Sequence, residues 1–253
     1  MACLVMPVAG QQPAAAPGRP EIPVARSAGP PDRSPPPEAS AWTNLVIRPA
    51  GAGVFELGPV RFDRATRTAT FPATINMLQG PVEYLIVSGY GKTHESILRT
   101  SAEPFHVHLA MLLMDAKAAG MPTNESVAPA LRPPQQPGQI LAPAAQPVAG
   151  DRVHVEVEWE RGGQKLRQPA SDFITNAREG RAMSDGPWTY SGGQVVQGFF
   201  TPQQTGSIAA VITDPDALIN NPRAGHENDD IWLVDTNAIP PLNTPVQVII
   251  QLR

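Results

Sequence analysis

The clearest pattern along the chain is an alternation of apolar and polar side chains in residues 153–159. Val or Trp occupies every second position there, and His or Glu fills the positions between. This period of two is typical of a β-strand with one face in the core and the other in water. Gly162 and Gly163 follow and predict a tight turn. The segment therefore predicts a strand whose polar face meets solvent.

Other short segments also have the composition of strands. Folded structure is expected to begin near Trp42, and residues 82–87 form an almost continuous apolar run that suits a central strand. Gly89 and Gly91 predict a turn after that run, so residues 96–100 are expected to return as the second arm of a hairpin. The remaining predicted strands are 67–75, 188–190, 195–200, 207–212, 231–234 and 246–252.

Residues 101–119 carry the strongest helix signal. Ser101 can cap the N-terminus, Pro104 suits the first turn, and Gly120 is a stop signal. The segment is apolar nearly all round, which predicts a helix buried on both faces. Several strands with one such helix, and no βαβ alternation, predict an α+β fold: a strand-rich single domain with one principal buried helix.

Two Pro-rich stretches frame the predicted domain organisation. Residues 11–41 consist mainly of Pro, Ala and Gly and lack the large side chains that a core needs, so they predict a disordered linker that acts as a spacer. The folded domain is expected to span 42–253. Within it, residues 122–150 predict an extended surface excursion or a partly disordered loop, and a domain boundary is the alternative.

The first ten residues resemble the end of a signal peptide. Leu4, Val5 and Met6 are apolar, and Val8 and Gly10 fit the pattern before a cleavage point. A basic region before the apolar run is missing, so an ordinary apolar N-terminus is the alternative. The first interpretation predicts an exported protein, periplasmic or associated with the cell envelope.

Composition excludes several classes of function. The formal net charge is −4 and no run of Lys or Arg is present, which argues against nucleic acid as a partner. Cys3 is the only cysteine, so neither an intrachain disulfide nor a Cys-rich zinc or iron–sulfur site can form. No stretch reaches about 18 apolar residues, so no transmembrane span is predicted. No cofactor or metal is expected.

The best candidate for a functional site is the polar block of residues 92–96, which contains Lys92, His94, Glu95 and Ser96. The Gly-Lys-Thr triplet at its start is not a phosphate-binding loop, because Ile86 stands where that motif requires its first Gly. On a strand, His94 and Ser96 would share a face and Glu95 would point to the other.

Two interpretations of this block remain open. A Ser activated by His would make a hydrolase-like centre, but the sequence locates neither an orienting acid nor an oxyanion hole. The alternative is a structural loop in which His94 hydrogen-bonds the backbone or a nearby carboxylate. We favour the structural interpretation, because neighbouring polar residues alone are a weak catalytic signal.

Three further groups of residues are weaker candidates. His106 and His108 lie about 200° apart on a helix and cannot chelate one ion together. Trp188, Tyr190 and Trp232 could line a ligand groove, but aromatic residues on strands more often belong to the core. Acidic side chains near the C-terminus are expected to be solvated loop residues: Asp214, Asp216, Asp229, Asp230 and Asp235, with His226 and Glu227 nearby.

Several of these segments together resemble the YdjY-type domain family. The resemblance rests on residues 82–85, on the Gly-Lys-Thr-His-Glu-Ser block at 91–96, on the Leu-rich helix, and on residues 206–208 with Asp214 and Pro215. It implies a largely uncharacterised family of exported bacterial proteins. Some members are described as ferredoxin-like because they carry a Cys-rich iron–sulfur segment. This chain lacks those cysteines, so an electron-transfer role does not carry over.

The function expected from the sequence is an exported binding or scaffold module of the bacterial cell envelope. Its partner would be a cell-envelope protein or a small ligand. The alternative is a hydrolase-like enzyme that uses the loop of His94 and Ser96. We lean towards a non-enzymatic protein because no complete catalytic constellation is visible.

Overall fold

The computed structural model describes residues 45–118, 148–184 and 186–253. Helices are α1 (Pro104–Leu113) and α2 (Thr201–Thr205), and short 3₁₀ turns cover Thr93–Glu95 and Ala170–Phe173. The strands of these ranges, in chain order, are β1 Ile47–Gly51, β2 Val54–Leu57, β3 Val60–Asp63, β4 Thr68–Ile75, β5 Tyr84–Ser88, β6 Ser96–Thr100, β7 Asp151–Arg161, β8 Gln164–Pro169, β9 Ile174–Asn176, β10 Arg181–Ala182, β11 Trp188–Tyr190, β12 Val195–Val196, β13 Phe199–Phe200, β14 Ser207–Ala210, β15 Ile219–Asn220, β16 Trp232–Val234 and β17 Pro245–Leu252.

Eight of the strands close into a barrel. Their order is β4-β17-β7-β11-β15-β14-β5-β6, and β6 pairs back onto β4. The expected α+β fold with one principal helix is therefore wrong, because the body of the protein is a closed barrel and both helices are short.

The centre of the barrel wall is the antiparallel trio β4-β17-β7. β17 pairs with β4 from Pro245 to Gln251 and with β7 from Val246 to Leu252. Alternate residues of β4 and β7 are buried, among them Phe71 and Val157. This confirms the period-of-two prediction for residues 153–159 and the strands predicted at 67–75 and 246–252.

Both outer strands of this trio divide their free edge between two partners. On β4, residues 68–70 pair with β3 and residues 73–75 pair with β6. Pro72, which has no N–H to donate, stands between the two halves. On β7, residues 151–153 pair with β11 and residues 156–161 pair with β8.

The parts of β4 and β7 that leave the barrel carry short antiparallel arms. β1, β2 and β3 form a meander on β4. β8 returns along β7 through Gly162 and Gly163, both with positive φ, which confirms the predicted turn. Lys165 and Arg167 of β8 pair with Glu158 and Glu156, so opposite charges cover the polar face of β7.

The expected hairpin between β5 and β6 is wrong. The two strands are parallel, with Tyr84 opposite Ser96 and Ser88 opposite Thr100. Residues 89–95 must therefore run back along the whole length of β5, and seven residues suffice only because both strands are short. Neither Gly89 nor Gly91 has a positive φ, so neither acts as a hairpin-turn glycine.

The helix is shorter than the predicted 101–119. It begins after Glu103, with Pro104 at its first position, and it ends at Leu113. The stop is a Schellman motif, in which Asp115 adopts φ 63°, Ala116 N–H donates to Met111 C=O, and Asp115 N–H donates to Leu112 C=O. Ser101 is not the cap, and burial on both faces is also wrong, because Leu112 remains 42% exposed.

The interior is filled by apolar side chains from all parts of the described chain. The largest fully buried ones include Trp188, Tyr190, Phe62, Phe71 and Phe173. Trp232 is buried as well, so the three aromatic residues considered for a groove belong to the core, as favoured. No described helix is long and apolar enough to cross a membrane.

The predicted signal remnant at 1–10 and the linker at 11–41 lie outside the described residues. So does nearly all of the excursion predicted at 122–150.

Gly91 is required by close packing, not by a turn conformation. A Cβ on Gly91 would lie 3.0 Å from Val87 Cβ and 3.2 Å from the carbonyl oxygens of Thr205 and Gly206. Conversely, a Cβ on Gly206 would lie 2.9 Å from Gly91 Cα. The returning loop thus rests directly on the turn between α2 and β14, where backbone leaves no room for a side chain.

We expect Gly91→Ala to lower the free energy of unfolding by about 1–3 kcal/mol, because the added methyl overpacks a contact with rigid backbone. Urea unfolding measures the change. Gly89→Ala is the matched control: it lies two residues away with no atom within 4 Å of the added Cβ, and should change stability by less than about 0.5 kcal/mol. Equal effects of the two substitutions would contradict the packing role.

Candidate functional site

The polar block of residues 92–96 lies at the end of the loop that returns from β5 to β6. Thr93–Glu95 form a 3₁₀ turn, and Ser96 is the first residue of β6. Asn76 holds this turn, since its side-chain amide donates to the carbonyl oxygens of Thr93 at 2.5 Å and Ser96 at 2.9 Å. The side chains of the block are therefore presented from a fixed backbone.

His94 and Glu95 contact each other, which the alternation of a strand would have prevented. His94 Nε2 lies 2.8 Å from Glu95 Oε1, because the 3₁₀ turn brings adjacent side chains together. A carboxylate is one of the two partners that the structural interpretation allows for His94, but the expectation that Glu95 would point to the other face is wrong. The His94 side chain is 47% exposed, so this contact lies at the surface.

Glu83 and Glu95 form a carboxylate pair beside Lys92. Lys92 Nζ lies 3.4 Å from Glu83 Oε2 and 3.9 Å from Glu95 Oε2. Partial burial, followed by the hydrogen bond and the charge of Glu95, raises the pKa of Glu83 above its ordinary value, and the Lys92 ammonium only partly offsets this. Glu83 therefore binds a proton more readily than an ordinary glutamate does, with the Lys92 ammonium as the nearby counter-charge.

Tyr84 links this cluster to the loop after β14. The Lys92 ammonium sits 5.2 Å from the centre of the Tyr84 ring, and the Tyr84 hydroxyl donates to Asp214 Oδ2 at 2.8 Å. Burial and the Asp214 charge raise the pKa of Tyr84, so it remains a neutral donor. The network Lys92-Tyr84-Asp214 ties three segments of the chain to one another.

Ser96 does not join His94. It is fully buried, and its Oγ donates to the carbonyl oxygen of Leu98 at 2.9 Å. A nucleophilic serine has to be reached by substrate and to give its proton to a base. In this arrangement the Ser96 proton is held by the backbone, and the expected shared face of His94 and Ser96 is not formed.

We expect Ser96→Ala to destabilise the protein by about 1 kcal/mol, because a buried hydrogen bond is lost. His94→Ala should cost less, because its contact with Glu95 is solvent-exposed and exposed contacts of this kind contribute about 0–1 kcal/mol. Urea unfolding of both variants at neutral pH checks the order. A larger loss for His94→Ala would show that the exposed pair carries more of the loop's stability than the buried serine.

The acidic residues near the C-terminus do not form one site. Asp229 and Asp230 are exposed, as expected. Asp214 and Asp235 are half-buried acceptors: Asp214 Oδ1 also accepts the Asp216 N–H, and Asp235 accepts the Thr175 hydroxyl and the Asn237 N–H. Asp216 accepts the side-chain amide of Gln194 at 2.8 Å. Within the described ranges no group of three His, Cys, Asp or Glu side chains is placed to hold a metal ion.

His106 and His108 diverge on α1, as their spacing predicts. His106 is buried against Gly58, where an added Cβ would lie 2.6 Å from its Nδ1. His108 Nδ1 is 2.8 Å from the Tyr190 hydroxyl, and its ring lies 4.8 Å from that of Phe200. Burial lowers the pKa of His108 to about 4, so the ring is neutral at pH 7 and can accept the Tyr190 proton.

The low pKa of His108 makes stability depend on pH in a defined direction. In the unfolded chain the imidazole takes up a proton near pH 6.5, whereas in the folded protein it does so only near pH 4. Between these values the unfolded state binds more protons, so stability falls as the pH falls. The loss is on the order of 3 kcal/mol by pH 4.

We expect His108→Gln to flatten the curve of unfolding free energy against pH between 7 and 4, since the substitution removes this titration. Urea unfolding at five pH values measures the slope. His94→Gln is the matched control for the substitution itself, because it makes the same side-chain change at a surface position. If the wild type and His108→Gln showed the same slope, burial of a neutral His108 would be refuted.

A buried polar network holds α2, the short helix that follows Phe200, against the start of α1. Gln203 of α2 donates from Nε2 to the Tyr90 hydroxyl at 2.8 Å and to Glu103 Oε2 at 2.6 Å. Its Oε1 accepts the Phe105 N–H at 3.0 Å. Tyr90 in turn donates to Glu103 or to the Gln203 carbonyl. α2 is thereby anchored to the start of α1.

The segment just before α2 forms an apolar surface that the sequence did not reveal. Residues 195–200, predicted as one strand, are instead a hairpin of β12 and β13, with Gln197 and Gly198 both at positive φ as in a type I′ turn. Val195, Val196 and Phe199 are 67%, 44% and 58% exposed. We call these three residues together with Leu112 of α1 the hairpin surface.

Phe200 attaches this hairpin to α1. Its ring packs edge-on against Phe105 at 5.9 Å and against His108 at 4.8 Å. Leu112 lies one turn further along the same face of the helix. No charged residue occurs in residues 191–206 or in α1. The signals that could have revealed the hairpin are Gly198, which suits the second central position of a type I′ turn, and this uncharged run.

A groove of about 610 Å³ lies elsewhere, where the loop 236–241 passes the end of β7. Trp159, Leu78 and Ile239 supply apolar walls, and Glu160 and Arg161 stand at its margin. None of the four candidate residues at 92–96 lines it. The groove is thus separate from the polar block.

The comparisons with known proteins agree with the resemblance seen in the sequence. The family model described as the YdjY domain matches residues 60–251. The chain belongs to the YdjY domain family. The match begins at β3 and ends within β17, so it includes every strand of the barrel. No curated protein and no solved structure matches the chain.

Proposed function

We propose that this YdjY domain is an exported, non-enzymatic binding module of the bacterial cell envelope, and that it binds a protein through the hairpin surface. The observation that carries the proposal is the exposure of Val195, Val196 and Phe199 within five residues. Single exposed apolar residues are ordinary, but contiguous ones mark interaction sites. Export is supported by the signal-like residues 1–10.

Protein fits this surface better than lipid does. Membrane-binding apolar surfaces usually carry Lys or Arg that attract anionic headgroups, and residues 191–206 contain neither. Interface cores between proteins, by contrast, are depleted of charge and enriched in aromatic residues. Among the described strands none pairs with the outer edge of β12 or β13, and polar backbone there would be costly to bury in hydrocarbon.

The hydrolase alternative has no observation in its favour. Ser96 is buried and bonded to the Leu98 carbonyl, and His94 contacts Glu95 instead. The cluster around Lys92 is better explained by the contacts it makes between β5, the returning loop and Asp214.

We expect a photo-crosslinking amino acid at position 199 of the full chain, irradiated in cells, to yield a covalent adduct with protein. Leu242 is the matched control, since it is an exposed apolar side chain, at 49%, outside the hairpin surface. Denaturing gels with immunodetection show the adducts. Absence of a protein adduct at 199, or equal adducts at 199 and 242, would contradict the proposal.

A further inference from the structure

The groove beside the loop 236–241 is held in shape by hydrogen bonds of its own. Asp235 fixes the start of the loop, because its N–H donates to the Phe173 carbonyl oxygen at 2.8 Å. Its carboxylate accepts the Asn237 N–H at 2.9 Å and the Thr175 hydroxyl at 3.1 Å. The volume of about 610 Å³ is within the range of ligand-binding sites. A segment that enters the groove therefore meets a preformed surface, which reduces the entropy lost on binding.

Two opposite charges stand at the margin of this groove without a counter-charge. Glu160 and Arg161 are the last two residues of β7, and both are exposed. The cations of β8 pair with Glu156 and Glu158 instead, and Arg161 stands opposite the uncharged Gln164. Within the described ranges neither Glu160 nor Arg161 has an ion-pair partner. The groove thus suits an apolar segment that carries one charge of each sign.

One segment of this chain has that chemistry. Within residues 11–41, adjacent prolines occur only at 30–31 and 35–37, and Asp32 and Arg33 between them are the only adjacent pair of opposite charges. Proline-rich segments are recognised in grooves with aromatic and apolar walls, because Pro favours an extended conformation that costs little entropy to hold. Pro also lacks an N–H that would need a partner when buried.

The described chain begins within reach of the groove. Through the strand pairings Ile47 lies level with Val157, two residues from Trp159 in the groove wall. β1 is antiparallel to β4, so the chain enters β1 from the end of the sheet at which the groove lies. Five strand spacings separate β1 from β7, or about 24 Å. The ten residues between position 37 and Ile47 span about 31 Å when extended.

We propose that residues 30–37 bind in the groove of the same chain, with Asp32 directed towards Arg161 and Arg33 towards Glu160. Adjacent side chains diverge on a polyproline helix, as they do at the end of a strand, so the two pairs of charges can meet. The short connection holds the segment at an effective concentration on the order of millimolar, so a weak contact suffices. The proposal goes beyond the proposed function, because it involves none of the residues of the hairpin surface.

The second Pro-rich stretch, residues 119–147, fits the groove less well. Its only charged side chains, Glu125 and Arg132, are seven residues apart, so it offers no adjacent acid and base. The described chain leaves and returns where the backbone groups of Lys117 and Asp151 meet. Asp151 begins β7, and the groove lies at the other end of that strand, about 33 Å away.

Paramagnetic relaxation in the NMR spectrum of the full chain tests the proposal. Cys3→Ser removes the native thiol, and Ser34→Cys carries a nitroxide spin label between the two runs of proline. The amide signals of residues 159–161 and Asn237 should lose most of their intensity, because the label lies beside them in the groove. Those of residues 151–153, at the opposite end of β7, should keep theirs.

Exchanging charges tests the pairing without changing composition or net charge. Asp32→Arg with Arg33→Asp should abolish the loss of signal, because like charges then meet. Glu160→Arg with Arg161→Glu should do the same. Chains that carry both exchanges should show the loss again, which neither a merely structural disturbance nor a spacer that ignores the groove would produce. A loss of signal that neither exchange alters would overturn the proposal.

The remaining outcomes decide which segment occupies the groove. Full intensity at residues 159–161 with the label at position 34 overturns the proposal. So does a loss that appears only when labelled chains are mixed with isotope-enriched, unlabelled ones, because the segment would then come from a second copy. A label at Gln135→Cys reports on the second Pro-rich stretch. Loss of the groove signals with that label instead of the one at position 34 would assign the groove to residues 119–147.

Discussion

The pairing of β17 with both β4 and β7 is the constraint on which the rest of the structure depends. The three strands are longer than their neighbours in the barrel, and β17 is paired along nearly its whole length on both sides. Because β4 and β7 extend beyond the barrel, each divides its outer edge between a barrel strand and an arm. Pro72 fits this division, since a residue without an N–H can stand where one partner ends and the next begins. The same trio thus closes the barrel and supports both arms.

The sequence predicted the long strands, most clearly 153–159, whose side chains alternate between one interior and solvent. Residues 67–75 and 246–252 were also predicted as strands, and both are strands. The sequence could not predict closure, because β6 meets β4 across residues 73–75 only and no local pattern records such a distant pairing. The long apolar helix signal led to the prediction of an α+β fold. In the structure α1 has only ten residues and ends at a Schellman motif. The left-handed residue of that motif is Asp115, not the Gly that usually occupies the position and would have marked the stop.

The candidate site shows the same difference between adjacency in sequence and proximity in space. Counting along a strand placed His94 beside Ser96 and away from Glu95, and a single 3₁₀ turn reverses both relations. Glu83, which completes the carboxylate pair, is twelve residues before Glu95 in the chain, and only the parallel arrangement of β5 and β6 brings them together. That arrangement was missed because Gly89 and Gly91 resembled a hairpin turn. In the fold Gly91 instead allows the returning loop to lie against Gly206.

The way in which the hairpin is held supports its interpretation as a binding element rather than a loose loop. Phe200 fixes one face against Phe105 and His108, and Gln203, three residues later, is buried and makes hydrogen bonds to Tyr90, Glu103 and the Phe105 backbone. These contacts order the base of the ribbon before any partner arrives, so little conformational entropy remains to be lost on binding. A flexible apolar loop could bury its side chains by packing onto the barrel. This one is anchored on the side of Phe200 and presents Phe199 and Val196 to solvent on the other, which is the geometry that a preorganised protein contact requires.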